Sequence, residues 1–114
     1  MEEKGCNVLD VIIKLLEKKF SNYIGRKYGI AVSSGTAAIE IAFNALNIKK
    51  DDEVIVPAQT HTATAHAVEF TGAKAVFADV DPLSGCILLN EIERKLTPKT
   101  KGIIPVHMAG LSCN

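Results

Sequence analysis

The sequence has 114 residues, 47% of them hydrophobic and 23% charged, which is enough chain to bury one core and too little for two complete domains. Thirteen Lys plus Arg balance thirteen Asp plus Glu, so no overall field draws a polyanion, and the composition argues against a nucleic-acid partner or a membrane surface. Cys6, Cys86 and Cys113 are odd in number and lack CxxC spacing, which argues against a disulfide framework or a structural metal site and for a reducing, cytoplasmic setting. No stretch reaches the ~18–20 apolar residues of a transmembrane helix. The start, Met1-Glu2-Glu3-Lys4, lacks the basic region and apolar core of a leader, so the chain is expected to be neither secreted nor membrane-embedded.

In chain order, apolar residues from Val8 to Ile24 recur at three- and four-residue spacing with lysines between them, predicting an amphipathic helix capped by Asn7 and closed by Gly25. Gly29-Ile30-Ala31-Val32 reads as a first strand, Ser33-Ser34-Gly35 as a tight loop, and Thr36 to Leu46 as a helix. The order then repeats. Glu53 to Val56 is a β-branched run stopped by Pro57, Thr60 to Phe70 has helical composition closed by Gly72, and Ala75 to Ala78 is a third strand. Asp79 to Gly85 is turn-rich. Asn90, with Glu93 three residues on, resembles a capping box opening a short helix through Leu96, and Lys101 to Val106 is a fourth strand. Strands alternating with helices predict an α/β sandwich with a mostly parallel sheet. The sheet is expected to continue beyond these four strands.

In open α/β sheets ligands sit beyond the carboxyl ends of the strands. The Ser33-Ser34-Gly35-Thr36-Ala37 segment carries two readings. It is a phosphate site, with Gly35 admitting an anion to the free amides of a helix start and Thr36 adding a hydroxyl, or it is a plain serine-capped turn. No Walker A lysine and no GxGxxG are present, so neither an NTPase nor a dinucleotide site is supported. His61 and His66, five apart, fall on different helix faces and do not suggest a metal pair, whose usual spacing is four. His61 either presents its ring to a ligand or caps a helix, His66 is a helix residue, and His107 at a strand end is undecided. Asp79 and Asp81 read as turn organisers rather than as a catalytic pair.

Five ordered segments, Ala31 to Ala38, Asp52 to Pro57, Thr60 to Ala65, Gly72 to Pro82 and Ile103 to His107, together resemble the DegT/StrS family of sugar aminotransferases, and the resemblance covers nearly the whole chain. It implies a fold type I enzyme using pyridoxal 5′-phosphate, with this chain supplying part of the three-layer α/β/α large domain. It implies that Gly35, Thr36 and Ala37 hold the cofactor phosphate, and that His61 occupies the position from which the family stacks a ring, commonly Phe, Trp or Tyr, on the pyridine. It further implies a homodimer acting on a nucleotide-linked keto-sugar with an amino-acid donor, expected to be glutamate.

The family's Schiff-base lysine and the aspartate that pairs with the pyridine nitrogen match no residue of this chain. No catalytic residue is therefore assigned in it. The sequence reads, over residues 1–114, as the amino-terminal portion of such an enzyme, expected to bind without turning over because the lysine serves as both covalent anchor and base. Two alternatives stay open. One is a dehydratase of the same family, in which histidine replaces the lysine, and the other is a non-catalytic phosphate-binding or interaction module.

Overall fold

The computed structural model describes residues 7–113, so Cys6 lies outside the described residues. The chain divides into two compact units, one ending at Ser33 and one beginning at Ser34.

The first unit is built on helix α1 (Val8–Ile24). Its ends are set by local chemistry, as the sequence predicts. Asn7 is extended and its side chain accepts the Leu9 N–H at 3.1 Å. Gly25 ends the helix at φ 70°, and the next amide, Arg26 N–H, reaches back to the Ser21 carbonyl at 2.8 Å, the bond pattern of a left-handed helix stop. The predicted strand at residues 29–32 is not one. A strand exists through its partner, and these residues run back along α1 instead: a Cβ at Gly29 would lie 2.8 Å from the Glu17 carbonyl oxygen, and the Ala31 N–H donates to Glu17 Oε1 at 2.8 Å.

The second unit contains α2 (Gly35–Ala45), β1 (Glu53–Pro57), α3 (Ala63–Glu69), β2 (Lys74–Ala78), α4 (Leu89–Lys95), β3 (Thr100–Ile103) and a short 3-10 turn, Met108–Gly110. The strands form one parallel sheet in the order β2-β1-β3, with Val54 beside Ala75 and Gly102, and Ile55 beside Val76 and Ile103. After Glu53 the central strand is apolar, Val54 to Pro57, and these residues are buried, as expected of a strand covered on both faces. Side chains alternate across it. Val54 and Val56 join Phe43, Ile48, Val68 and Ala73 in one core, whereas Ile55 joins Ala78 and Ile87 in another. Phe43 belongs to α2 and Val68 to α3, while Ile92 of α4 packs on the second core. The unit is therefore a three-layer α/β/α sandwich built on a small parallel sheet, the predicted fold class.

Several boundaries differ from expectation. The helix expected from Thr60 begins at Ala63, because side chains compete for the first turn: Thr60 Oγ1 lies 3.3 Å from Thr64 Oγ1, and His61 Nδ1 accepts the Ala63 N–H. Asn90 does not cap α4. The capping residue is Leu88, whose N–H is held by the Asp79 carbonyl and whose own carbonyl accepts from Ile92 N–H. The helix thus starts where the Val80 to Ile87 antiparallel bridge ends. The last strand stops at Ile103 rather than Val106. One further bond, Ile104 N–H to the Ile55 carbonyl, continues the pairing, and Pro57 of β1 has no N–H to return to the Ile104 carbonyl.

The turn after β2 is organised by Asp81, as read from the sequence. Its Oδ1 accepts the Ser84 N–H at 2.7 Å and the Leu83 N–H at 2.9 Å. The Ser84 amide first, then the Leu83 amide and the Ser84 hydroxyl, hold the carboxyl below its ordinary value. A depressed carboxylate adds stability that is present above its unfolded value and lost as pH falls through the folded one. Asp81→Ala should therefore melt below the native chain at neutral pH, with the gap closing on acidification below about pH 4. Melting curves of both proteins across that range check this, and a gap independent of pH would refute it.

Candidate functional site

The opening of α2 is the strongest candidate for a ligand contact. Ser34 is extended, with φ −161° and ψ 163°; its Oγ accepts the Ala37 N–H at 3.2 Å and its carbonyl accepts the Ala38 N–H at 3.1 Å. The Gly35 and Thr36 amides stand at the first two helical positions, where the helix offers no acceptor. No acidic residue lies in the first turn to neutralise the positive end of the helix dipole. Gly35 is not in the left-handed region, and a Cβ added to it would meet no atom within 4 Å. Neither backbone conformation nor packing within the chain requires glycine there, and the space before the amides stays open. Gly35 is exposed, while Thr36 and Ala37 are half-buried.

His61 stands beyond the carboxyl end of β1, in a cleft of about 250 Å³ lined by Pro57, Thr60, Ala65, Glu69 and Phe77 among others. The imidazole is exposed, and its Nδ1 accepts the Ala63 N–H at 3.1 Å, which leaves Nε2 to carry the hydrogen of the neutral ring. The ring therefore caps a helix start while keeping its faces available. The lining of this cleft does not include Gly35, Thr36 or Ala37, although α2 and α3 pack on each other.

The remaining candidates have structural parts. His66 is exposed on α3, its ring centroid 6.3 Å from that of Phe70. His107 Nδ1 accepts the Cys113 N–H at 3.1 Å. Sequence reasoning did not single out Glu69, which shares the cleft with His61 through α3, or Phe77, which reaches it only through the pairing of β2 with β1. It did not separate Ser34 from its neighbours either, although a serine directly before Gly35 and Thr36 is a helix-cap signal.

Solved and named proteins resemble this chain closely. Residues 11–114 match the DegT/DnrJ/EryC1/StrS aminotransferase family. The chain is 42% identical over 98 residues to GDP-perosamine synthase of Caulobacter vibrioides, covering 86% of this chain and 26% of that protein. It is 43% identical over 98 residues to the 3-oxo-glucose-6-phosphate:glutamate aminotransferase of Bacillus subtilis, covering 86% and 22%. In structure it resembles NtdA of Bacillus subtilis with bound cofactor PMP, at a TM-score of 0.82 and 43% identity, covering 86% of this chain and 22% of that one. The chain spans about a quarter of the length of the relatives it matches, an amino-terminal portion of them. Because the match runs across almost all of its residues and the likeness extends to three dimensions, the chain belongs to the DegT/DnrJ/EryC1/StrS aminotransferase family.

Proposed function

We propose that this chain forms the amino-terminal part of the large domain of a pyridoxal 5′-phosphate-dependent aminotransferase, a cytoplasmic homodimer that moves an amino group from glutamate to a nucleotide-linked keto-sugar. The observation that carries the reading is the open, glycine-led start of α2 lying inside the region matched to the family. Two relatives support the finer parts, the GDP-perosamine synthase through its GDP-linked sugar and the 3-oxo-glucose-6-phosphate:glutamate aminotransferase through glutamate beside a 3-oxo sugar.

The cofactor, when bound, supplies an electron sink for the bonds at the amino-bearing carbon. The chain's own residues bind and orient. The Gly35 and Thr36 N–H groups and the Thr36 hydroxyl donate to phosphate oxygens, and the dipole of α2 favours the dianion. Ser34 Oγ accepts from Ala37 and so keeps its own hydroxyl hydrogen to donate, tying Ala37 to the same cup. His61 offers a π-face to the pyridine, with its ring plane held by the Ala63 N–H. None of the chain's lysines matches the family's Schiff-base motif, so the 114-residue chain binds without transaminating.

The test is a titration with pyridoxamine 5′-phosphate followed by NMR, a probe whose amine does not condense with surface lysines. The Gly35 and Thr36 amides and the His61 ring should shift together, and pyridoxamine lacking the phosphate should leave the two amides unmoved. Aromatic stacking worth ~0.5–1.5 kcal/mol implies that His61→Ala weakens binding roughly two- to tenfold, while His61→Phe stays near the native affinity. Equal behaviour of the Ala and Phe variants would remove His61 from the site, and unmoved Gly35 and Thr36 amides would remove the cup.

A further inference from the structure

Two thiols that the aminotransferase reading does not use lie on neighbouring segments beside the sheet. Cys86 follows β2 and Cys113 follows β3, the strands that flank β1 on its two sides. Both are free. Cys86 is only 7% exposed and directly precedes Ile87 of the second core, and Cys113 is half-buried against that same core. Cys86 Sγ donates to the Leu111 carbonyl at 3.7 Å, two residues before Cys113, and Cys113 Sγ donates to the Val106 carbonyl at 3.3 Å. The Cys113 backbone is fixed in turn by the bond from its N–H to His107 Nδ1. Cys86 is thereby bonded to the segment that carries Cys113, and Cys113 packs on the core to which the neighbour of Cys86, Ile87, belongs.

We propose that Cys86 and Cys113 are a redox modification site, closing reversibly into an intramolecular disulfide that ties the connection after β2 to the segment after β3. The oxidant is a low-molecular-weight disulfide of the glutathione class. The Cys113 thiolate, on the more exposed residue, attacks one sulfur of that disulfide; a mixed disulfide forms and one small thiolate leaves. The Cys86 thiolate then attacks the Cys113 sulfur, the protein disulfide forms and the second small thiolate departs. Two protein thiols are oxidised, one small disulfide is reduced to two thiols, and the two cysteine protons end on the two departing thiolates. Burial first, and then the Cys86 thiol, push the Cys113 thiol above its ordinary value. Thiolate is therefore scarce near neutral pH. The pair stays reduced in a reducing compartment and closes when the balance of small thiol and disulfide shifts.

The experiment treats the native 114-residue chain with glutathione disulfide, quenches with acid and maps non-reduced tryptic peptides. Cleavage after Lys74, Arg94 and Lys101 puts Cys86 in peptide 75–94 and Cys113 in peptide 102–114. These two should appear joined at a yield independent of protein concentration, and dithiothreitol should release them. Cys6→Ser should leave the linkage intact. In concentrated urea the specificity should disappear, with pairs involving Cys6 formed as well. Oxidation should raise the melting midpoint by roughly 10 °C, as expected for a crosslink closing a loop of this size, and Cys113→Ser should abolish the shift. Should that variant fail to fold, the peptide map of the native chain decides alone. Thiols that stay free, linkage mainly through Cys6, or crosslinks only between chains would overturn the proposal.

Discussion

Gly35→Val is expected to weaken pyridoxamine 5′-phosphate binding roughly ten- to hundredfold while leaving the melting midpoint nearly unchanged. The two halves of this expectation rest on the same geometry. The added Cβ meets no atom within 4 Å and the backbone is not in the left-handed region, so the fold has no reason to resist the side chain. In helix propensity valine is the better of the two residues by a few tenths of a kcal/mol, so the exchange does not weaken the helix start. A phosphate drawn up to the Gly35 and Thr36 amides, in contrast, would collide with the isopropyl group. It would forfeit hydrogen bonds to a charged ligand worth about 1.5–3 kcal/mol. Parallel titrations and melts of the native and variant chains separate the effects. Undiminished affinity would show that the phosphate lies elsewhere, and a loss that merely follows a lowered midpoint would show that Gly35 serves the fold.

Ile55→Ala should be the most damaging single truncation in the sheet. Ile55 is fully buried in the central strand, its carbonyl accepts the Ile104 N–H, and its side chain anchors the core made with Ala78 and Ile87. Strands on both sides prevent that core from collapsing into the space left behind, so the cavity term adds to the lost transfer energy, and a cost of about 3 kcal/mol follows. For a unit of this size the midpoint should fall by about 10–20 °C. Ile103→Ala is the control, since that side chain on β3 is 44% exposed and should cost about 1 kcal/mol or less. Similar midpoints for the two variants would mean that the layered arrangement around β1 is wrong.

The parts that the sequence made legible are those whose causes are local. Asn7 and Gly25 bracket α1 because a side-chain acceptor and a left-handed glycine act within a few residues of themselves. Asp81 organises its turn for the same reason. The β1 run Val54-Ile55-Val56 is legible because burial on both faces leaves no polar alternation to confuse it with a surface strand. Residues 29–32 mislead because their β-branched composition carries no information about a partner, and Glu17 takes the Ala31 amide. Asn90 misleads because the start of α4 is decided by the bond from Leu88 N–H to the Asp79 carbonyl, a contact across a turn that a capping pattern does not encode. In the candidate site the same division holds. Gly35 is visible from its place before a helix, whereas Phe77 beside His61 depends on strand order.

The alternation of β1 side chains between two separate cores also governs how the second unit comes apart. Neither core can be dismantled without disturbing β1, and both of its flanks are hydrogen-bonded to neighbours distant in sequence. Fraying from the β3 edge opens one ladder and leaves the other intact, so the amides of β1 facing β2 remain protected through every partial opening of that edge. Solvent exchange at those amides then requires release of β2 or the global transition, and opening at β3 does not contribute to it. The same dependence delays assembly, because β1 gains its second neighbour only after the long connection through α3, β2 and α4 has been gathered in, and parallel pairing across such a separation closes its loop before contacts repay it.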